Sequence, residues 1–395
     1  MTTPTDAITF GEKLLQLLDQ GAFTATYKYA VLRGLIDLCL ENTSRCGEPA
    51  TVLTTRQLAE KVIELYWPHT RPYPELPADR PVLRQNRGQP GSQAEILRAI
   101  QTLRDHLQGD DTAPLFRVRQ ALGSRFERLV RVVEWKLIEM PLPRLQRIGR
   151  QVEPFVYSIA WDEGIQRARV AAYQEGDAAA FDSGIRLMPG VGEHLVRLNG
   201  LLRPLLYRQW TAEVANINGL PESRLEAFLF GTDRMAIPSG LRQGLLEVQD
   251  ARCFYCGERV GRQRGHQPEV DHFIPWARYP DNAIENLVVA HQYCNHDKRD
   301  FLAAVPHLEH WLGRLCEGRE RDLAALSDEH GWVSRPREIH GVAAAIYLRL
   351  PVEMGLWAGR GRFEPFDRGA ARVAFGVSDE VAGFRASGAL GVVDG

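Results

Sequence analysis

Two short-spaced pairs of nitrogen- and sulfur-bearing side chains constrain this chain more tightly than any other feature. They are Cys253-x2-Cys256 and His291-x2-Cys294, separated by 34 residues. A two-residue spacing lets one tight turn aim both side chains at a single ion, and zinc takes four such donors in a tetrahedron. Bringing the pairs together closes the intervening segment into a loop anchored at both ends. With four protein donors no coordination position stays open, so the expected Zn2+ is structural rather than catalytic. His266 and His296 compete with His291 for the fourth place, and the mirrored spacing favours His291. The six cysteines are Cys39, Cys46, Cys253, Cys256, Cys294 and Cys316, of which three lie in this one segment. Acidic and polar residues precede any apolar stretch at the N-terminus, which does not read as a secretory signal. The expected setting is therefore cytoplasmic, where a metal clasp is favoured over a disulfide framework.

Between the two pairs runs Val270-Asp271-His272-Phe273-Ile274-Pro275. It reads as an apolar-flanked strand ending near the proline, with a carboxylate and an imidazole as neighbours. Alternation sends adjacent strand side chains to opposite faces, so Asp271 and His272 converge only if the backbone kinks. Asn286 and Asn295 add two amides, the second directly after Cys294. Hydrolysis of a phosphodiester needs a base for water, a cation for the charge on phosphate and leaving oxygen, and a means of holding the base in line. Histidine suits the first role because it titrates near neutrality. Oxygen donors such as Asp271 and Asn295 suit Mg2+, a hard ion that keeps several waters.

Taken together, C-x2-C, VDHFIP, NLV and CNHDKRD resemble the HNH (ββα-metal) endonuclease family, in its variant with asparagine at the last signature position. The likeness covers Cys253 to Asp300, with a milder similarity as far as Trp311. It implies a β-hairpin followed by a helix around one catalytic divalent ion, Mg2+ or Mn2+. It further implies His272 as general base, Asp271 and Asn295 as ligands of that ion, and Asn286 as the residue orienting the histidine loop. Lys298 and Arg299 would contact substrate phosphate. Many members carry cysteine at the position of His291, and others carry histidine at that of Asn295. Arg278 is a further phosphate contact, while Trp276 reads as packing beneath the loop. The resemblance points to DNA as substrate, with RNA as the other class it allows, and to restriction or antiviral defence in bacteria. A homodimer or a regulating protein partner is compatible with it. The alternative is a zinc-stabilised nucleic-acid-binding regulator without catalysis.

The rest of the chain predicts a mainly α fold. Apolar residues recur at helical spacing over 8–18 and 27–40. Thr54 or Thr55 opens a third helix through Leu58 to Trp67, and Ser92 another through Leu107. A strand is expected at 115–119, a helix over 125–138, a linker at 141–150, a strand at 155–160, and one helix over 192–216 kinked at Pro204. Further helices are expected from Pro238, over 305–315 and over 339–350, and a frayed tail over the last eleven residues. The expected regions are 1–140 (helical, for nucleic-acid binding or regulation, with a winged-helix-like part), 141–237 (helical), 238–312 (the zinc-stabilised HNH module) and 313–395 (a helical extension). No apolar run approaches the roughly 18 residues of a membrane span. A net charge of −2 excludes a globally basic coat but not a local one. The stretch from Arg117 to Arg150 has nine basic residues against three acidic, with Arg125, Arg128 and Arg131 at three-residue intervals. From Arg252 to Arg299 the balance is seven against six, too even to hold DNA by charge alone.

Overall fold

Helices dominate, as the apolar spacing predicts, and small antiparallel sheets complete the fold. The computed structural model describes residues 6–20, 25–89, 92–107, 113–148, 151–231, 236–261, 263, 265–315 and 319–377. Cys316, Arg150 and the expected tail lie outside them. The chain clusters into two units, Met1–Leu40 with Pro49–Arg234, and Glu41–Glu48 with Met235–Gly395.

The first unit begins with α1 (Ala7–Gln20) and α2 (Tyr27–Glu41). α2 is buried along its whole length. Its interior charges are therefore paired: Arg33 binds Asp37, and Arg203 Nη2 reaches the same carboxylate at 3.0 Å. β1 (Val52–Thr54) leads into α3 (Thr55–Tyr66), whose capping box has Thr54 Oγ1 accepting the Gln57 N–H at 3.1 Å and Gln57 Oε1 accepting the Thr54 N–H at 2.9 Å. Gly34 lets α2 approach α3 closely: a Cβ there would lie 2.9 Å from Leu58 Cδ1, and that side chain would have to shift. α4 (Glu95–Arg104) starts three residues beyond the expected Ser92, whose hydroxyl donates instead to Gln89 O at 2.8 Å in the preceding turn.

At 115–119 the expected strand is a helix, α5 (Leu115–Ala121). Alternating Arg117 and Arg119 mimic strand periodicity, yet Val118 is the only buried residue there, and its N–H bonds Pro114 O at 3.3 Å. A short run cannot be assigned by alternation alone. α6 (Gly123–Glu139) and the short α7 (Pro141–Arg144) follow. Where a linker was expected, α7 gives way to a hairpin of β2 (Arg147–Ile148) and β3 (Gln151–Val152). β4 (Tyr157–Ser158) is shorter than expected, because Gln146 Oε1 takes the N–H groups of Phe155, Val156 and Tyr157 at 2.7–3.1 Å. α8 (Arg167–Gln174) and β5 (Gly184–Leu187) complete the motif.

The sheet order is β1-β5-β4, all antiparallel, with Leu53 opposite Ile185 and Tyr157 opposite Leu187. Reading α2-β1-α3-α6-β4-β5, with the last strand in the centre, gives winged-helix connectivity with insertions: α4 and α5 before α6, α7 and the β2–β3 hairpin after it, and α8 between the wing strands. α9 (Val191–Arg197), α10 (Asn199–Asn218) and α11 (Glu222–Phe230) close the unit. The expected single helix over 192–216 is thus divided, at Leu198 rather than at Pro204. Pro204 is tolerated inside α10 because Gly200, the residue whose carbonyl it cannot bond, is exposed to water.

The second unit has α12 (Ser239–Val248), β6 (Pro268–His272), β7 (Leu287–His291), α13 (Gln292–Lys298), α14 (Val305–Arg314), α15 (Arg319–His330), α16 (Pro336–Tyr347), the hairpin β8 (Gly355–Gly359) and β9 (Arg362–Pro365), and α17 (Arg368–Ala374). Its core stacks Phe273 on Trp311, ring centres 4.8 Å apart and nearly parallel, beside the buried Tyr347. Among the described residues no helix is long and apolar enough to cross a membrane.

One buried histidine couples the first unit's fold to pH. His69 is enclosed by Tyr66, Trp210 and Phe230, with ring centres 4.8–5.6 Å away, and burial pushes its pKa down to about 3. The unfolded chain binds a proton near pH 6.5 that the folded chain refuses. This contribution is therefore complete above pH 6.5 and lost as pH falls towards 3. Urea titrations of wild type and His69→Gln across that range should show a steeper acid loss for wild type; parallel curves would contradict the assignment.

Candidate active site and metal clasp

β7 is buried from Leu287 to His291 and pairs with β6 in a register that sets Pro268 opposite His291, Val270 opposite Val289 and His272 opposite Leu287. Without an intervening loop, β7 turns at His291 into α13. Both chemical centres are built on this junction.

The first is the clasp. One donor atom each from Cys253, Cys256, His291 and Cys294 lies within 4.8 Å of every other. His291 Nδ1 is 3.2 Å from Cys256 Sγ, and His291 Nε2 is 3.1 Å from Arg259 O. That carbonyl accepts the Nε2 proton and so leaves the Nδ1 lone pair facing the sulfurs, the kind of outer hydrogen bond that orients a metal-binding imidazole. Gly257, at φ +72°, turns the chain back after Cys256, and its N–H bonds Cys253 O at 2.9 Å. A hydrogen bond from Cys294, helped by backbone N–H donors, lowers the pKa of the Cys253 thiol and raises that of Cys294, as expected of two sulfurs close enough to share one proton. Three sulfurs and one nitrogen at this spacing fit zinc. Of the competing histidines, His266 packs edge-on against His291 with ring centres 4.6 Å apart and groups with Glu258 and His291 rather than with the three sulfurs. His296 is exposed and lies 3.4 Å from Glu269 instead.

The second centre lies where α13 crosses β6. Asn295 and Lys298, one helical turn apart, meet Glu269 and Asp271, which share a strand face. Asn295 Nδ2 donates to Glu269 Oε2 at 2.9 Å, and its Oδ1 takes no hydrogen bond among the described residues. Asp271 Oδ2 accepts both Tyr255 Oη–H at 2.5 Å and Lys298 Nζ at 2.9 Å, while its Oδ1 is likewise without a partner among those residues. Burial and the Asp271 charge push the Tyr255 phenol well above its usual range, so it stays a donor. One carboxylate oxygen and one amide oxygen thus remain for a cation. The pair is hard, as Mg2+ or Mn2+ prefers, and fits such an ion.

His272 lies on the opposite strand face, as alternation requires. Its Nε2 is 3.1 Å from Asn282 Oδ1, and its half-exposed ring stands edge-on to Trp276 with centres 4.9 Å apart. Asn286 is fully buried. It accepts the Ile274 N–H at 2.8 Å, donates to Ile274 O and Asp281 O, and its carbonyl takes the Phe273 N–H at 2.8 Å. It therefore clamps the segment directly after His272. Lys298, expected at substrate phosphate, is wholly buried and donates to His272 O at 3.0 Å as well as pairing Asp271. Its position on α13 points it at β6, not at solvent. Arg278 and Arg299 are exposed. Tyr279 is buried and donates to Glu41.

Tyr255, Glu269 and Asn282 did not emerge from the sequence. Tyr255 lies inside the first cysteine knuckle and Glu269 two residues before Asp271, so strand alternation alone could have marked the latter. Asn282 had no such signal. Its carbonyl takes the Trp332 indole N–H at 2.7 Å, and the same stretch is held when Arg335 pairs Asp281 and its N–H meets Glu285 at 3.0 Å. The residues after α15 thus position the histidine's partner.

Comparison with known proteins gives two matches. Residues 253–304 match the model of the HNH endonuclease family, and residues 7–227 match that of a domain of unknown function, DUF8808. The first agrees with the zinc-binding cluster and supports nuclease activity. No curated protein and no solved structure matches the chain.

Replacing a clasp donor removes both the metal and the stability it confers, on the order of 10 kcal/mol in small zinc modules. Cys253→Ser and His291→Ala should each lose zinc by elemental analysis and melt at lower temperature, whereas His266→Ala and His296→Ala keep it. Full zinc in His291→Ala would displace that residue from the donor set.

Proposed function

Since this chain belongs to the DUF8808 family over residues 7–227 and carries a segment matching the HNH endonuclease family at 253–304, we propose that it is a metal-dependent endonuclease that hydrolyses DNA phosphodiester bonds. The observation that carries this reading is the end of β6 under α13, where Lys298 Nζ bonds both Asp271 Oδ2 and His272 O. There Asp271 and Asn295 keep unengaged oxygens and the adjacent His272 ring is half-exposed.

In this mechanism His272 is the general base. The ring is held through Nε2, 3.1 Å from Asn282 Oδ1, and the neutral imidazole takes a proton from the attacking water. The resulting hydroxide attacks phosphorus, the bond to the leaving sugar oxygen breaks, and that oxygen is protonated from solvent. Asp271 and Asn295 would hold the divalent ion, Mg2+ or Mn2+, which would supply Lewis-acid stabilisation of the phosphate and leaving oxygen. Lys298 keeps Asp271 in place from the buried side, and its bond to His272 O ties the base to the same helix. Asn286 holds the loop that follows, and Arg278 and Arg299 contact phosphate from the surface. The setting we propose is cytoplasmic restriction or phage defence. A lone site of this kind nicks one strand, so a double-strand break would use a homodimer or successive cuts.

Plasmid DNA incubated with the full chain and Mg2+ or Mn2+ should be nicked, and His272→Ala should be slower by at least about 100-fold, the lower end of what a positioned base contributes. Its zinc content and DNA affinity should not change. Retention of DNA by both proteins with no cutting by either would replace this reading with that of a non-catalytic regulator.

A further inference from the structure

The winged-helix connectivity of the first unit assigns a particular place to α6, the long helix packed on α3 and preceding the wing strands β4 and β5. Its inward face is apolar, with Phe126, Leu129, Val130, Val133 and Leu137 all buried. Its outward face carries exposed Arg125, Arg128 and Arg131 around Val132, which is 42 % exposed. Val132, one residue beyond Arg131 and one turn beyond Arg128, adds an apolar contact at the C-terminal end of this face.

Ion pairing separates a binding face from an ordinary solvated one. On a solvated helix, neighbouring acids usually neutralise such arginines at i,i+3 or i,i+4. Here every acid of α6 is engaged elsewhere. Glu127 pairs Arg56 at 2.6 Å, Glu134 is buried and accepts from Thr55 and Gln174, and Glu139 pairs Lys136 at 3.1 Å. Arg125, Arg128, Arg131 and, on α8 within the wing, Arg167 form no ion pair among the described residues. Arg119 and Lys136 nearby do, with Glu60 and Glu95.

The surface is also shaped. A depression of about 420 Å3 between α4 and α6 is lined by Arg125, Arg128 and Val132 on the α6 side. A second, of about 120 Å3, lies between α6 and α8 and is lined by Arg131, Val132, Trp135 and Arg167. The outward face of α6 is thus a ridge between two troughs, each edged by arginines. The three arginines of α6 climb about 9 Å along its axis, roughly the rise of two to three base-pair steps. A helix of about 10–12 Å diameter matches the width of the B-DNA major groove.

We propose that α6 is a DNA-recognition helix. Its exposed face enters the major groove of a duplex, Arg125, Arg128 and Arg131 meet phosphate or guanine edges, and Arg167 from the wing takes a flanking phosphate. This extends the nuclease reading, because the near-neutral charge of the HNH segment leaves the grip on DNA to another surface. It does not depend on cleavage.

The test is fluorescence anisotropy of a short labelled DNA duplex with the zinc-loaded full chain carrying His272→Ala, without added Mg2+ and across a salt series. Adding Arg125→Ala, Arg128→Ala and Arg131→Ala together should weaken binding tenfold or more and flatten the log–log salt slope by about 3, at roughly 0.9 for each phosphate no longer neutralised. Arg167→Ala alone should flatten it by about 1. Arg224→Ala, at an exposed arginine paired with Glu75, should change neither quantity, and the thermal melt of every variant should match wild type. Unchanged affinity and slope in the triple variant would overturn the proposal. So would equal binding of duplex RNA, whose deep, narrow major groove excludes a helix. Plasmid cleavage by the His272-containing protein, assayed separately with Mg2+, decides the nuclease reading whichever way binding falls.

Discussion

The direct passage from β7 into α13 at His291 is the constraint on which the second unit's chemistry rests. Five buried strand residues set the register of β6, and the next residues begin a helix with no loop to absorb error. A single backbone turn therefore places His291 and Cys294 in the clasp, Asn295 above Glu269 and Lys298 against Asp271. Because the clasp ties this turn to the Cys253–Cys256 knuckle, metal binding and the geometry of β6 are one mechanical problem. Asn295, directly after Cys294, is held on the same turn by its bond to Glu269.

Burial of charge next to the proposed active site serves a related end. Lys298 is wholly enclosed, yet it has a carboxylate, a carbonyl and the Tyr255 ring around its ammonium. A buried pair of this kind contributes little net stability, but losing either member leaves the other uncompensated at a cost of about 3–5 kcal/mol. What the pair supplies is direction. Lys298 occupies Asp271 Oδ2 together with Tyr255 and leaves Oδ1 open, so the carboxylate has one structural oxygen and one available for chemistry. Asn295 repeats the division, with its Nδ2 bound to Glu269 and its Oδ1 open.

In the first unit the same principle of pairing sorts charges by role. Interior Arg33, Asp37 and Arg203 are tied together, and the acids of α6 are drawn to Arg56, Thr55 and Lys136. On α6 itself, what remains without an ion pair among the described residues is a narrow arginine face. A chain with a net charge of −2 can in this way present a strongly positive strip without being basic as a whole.

Spacing in the sequence marked the two knuckles of the clasp, the strand around Asp271 and His272 and most helices, because each depends on contacts a few residues apart; the role of Asn286 came from the family resemblance. The Thr54 capping box and the periodicity of α2, α3 and α6 are of that kind. The strand expected at 115–119 failed for the complementary reason. Two alternating arginines fit either structure, and only packing of Val118 selected the helix. Long-range partners were beyond reach: Asn282, held by Trp332 across 50 residues, and Lys298, turned inward by a carboxylate 27 positions earlier. Residue identity and local spacing decided which chemical groups this protein possesses. The tertiary structure alone decided which oxygen, nitrogen and ammonium of those groups remain available, since hydrogen bonds between distant segments consume the others.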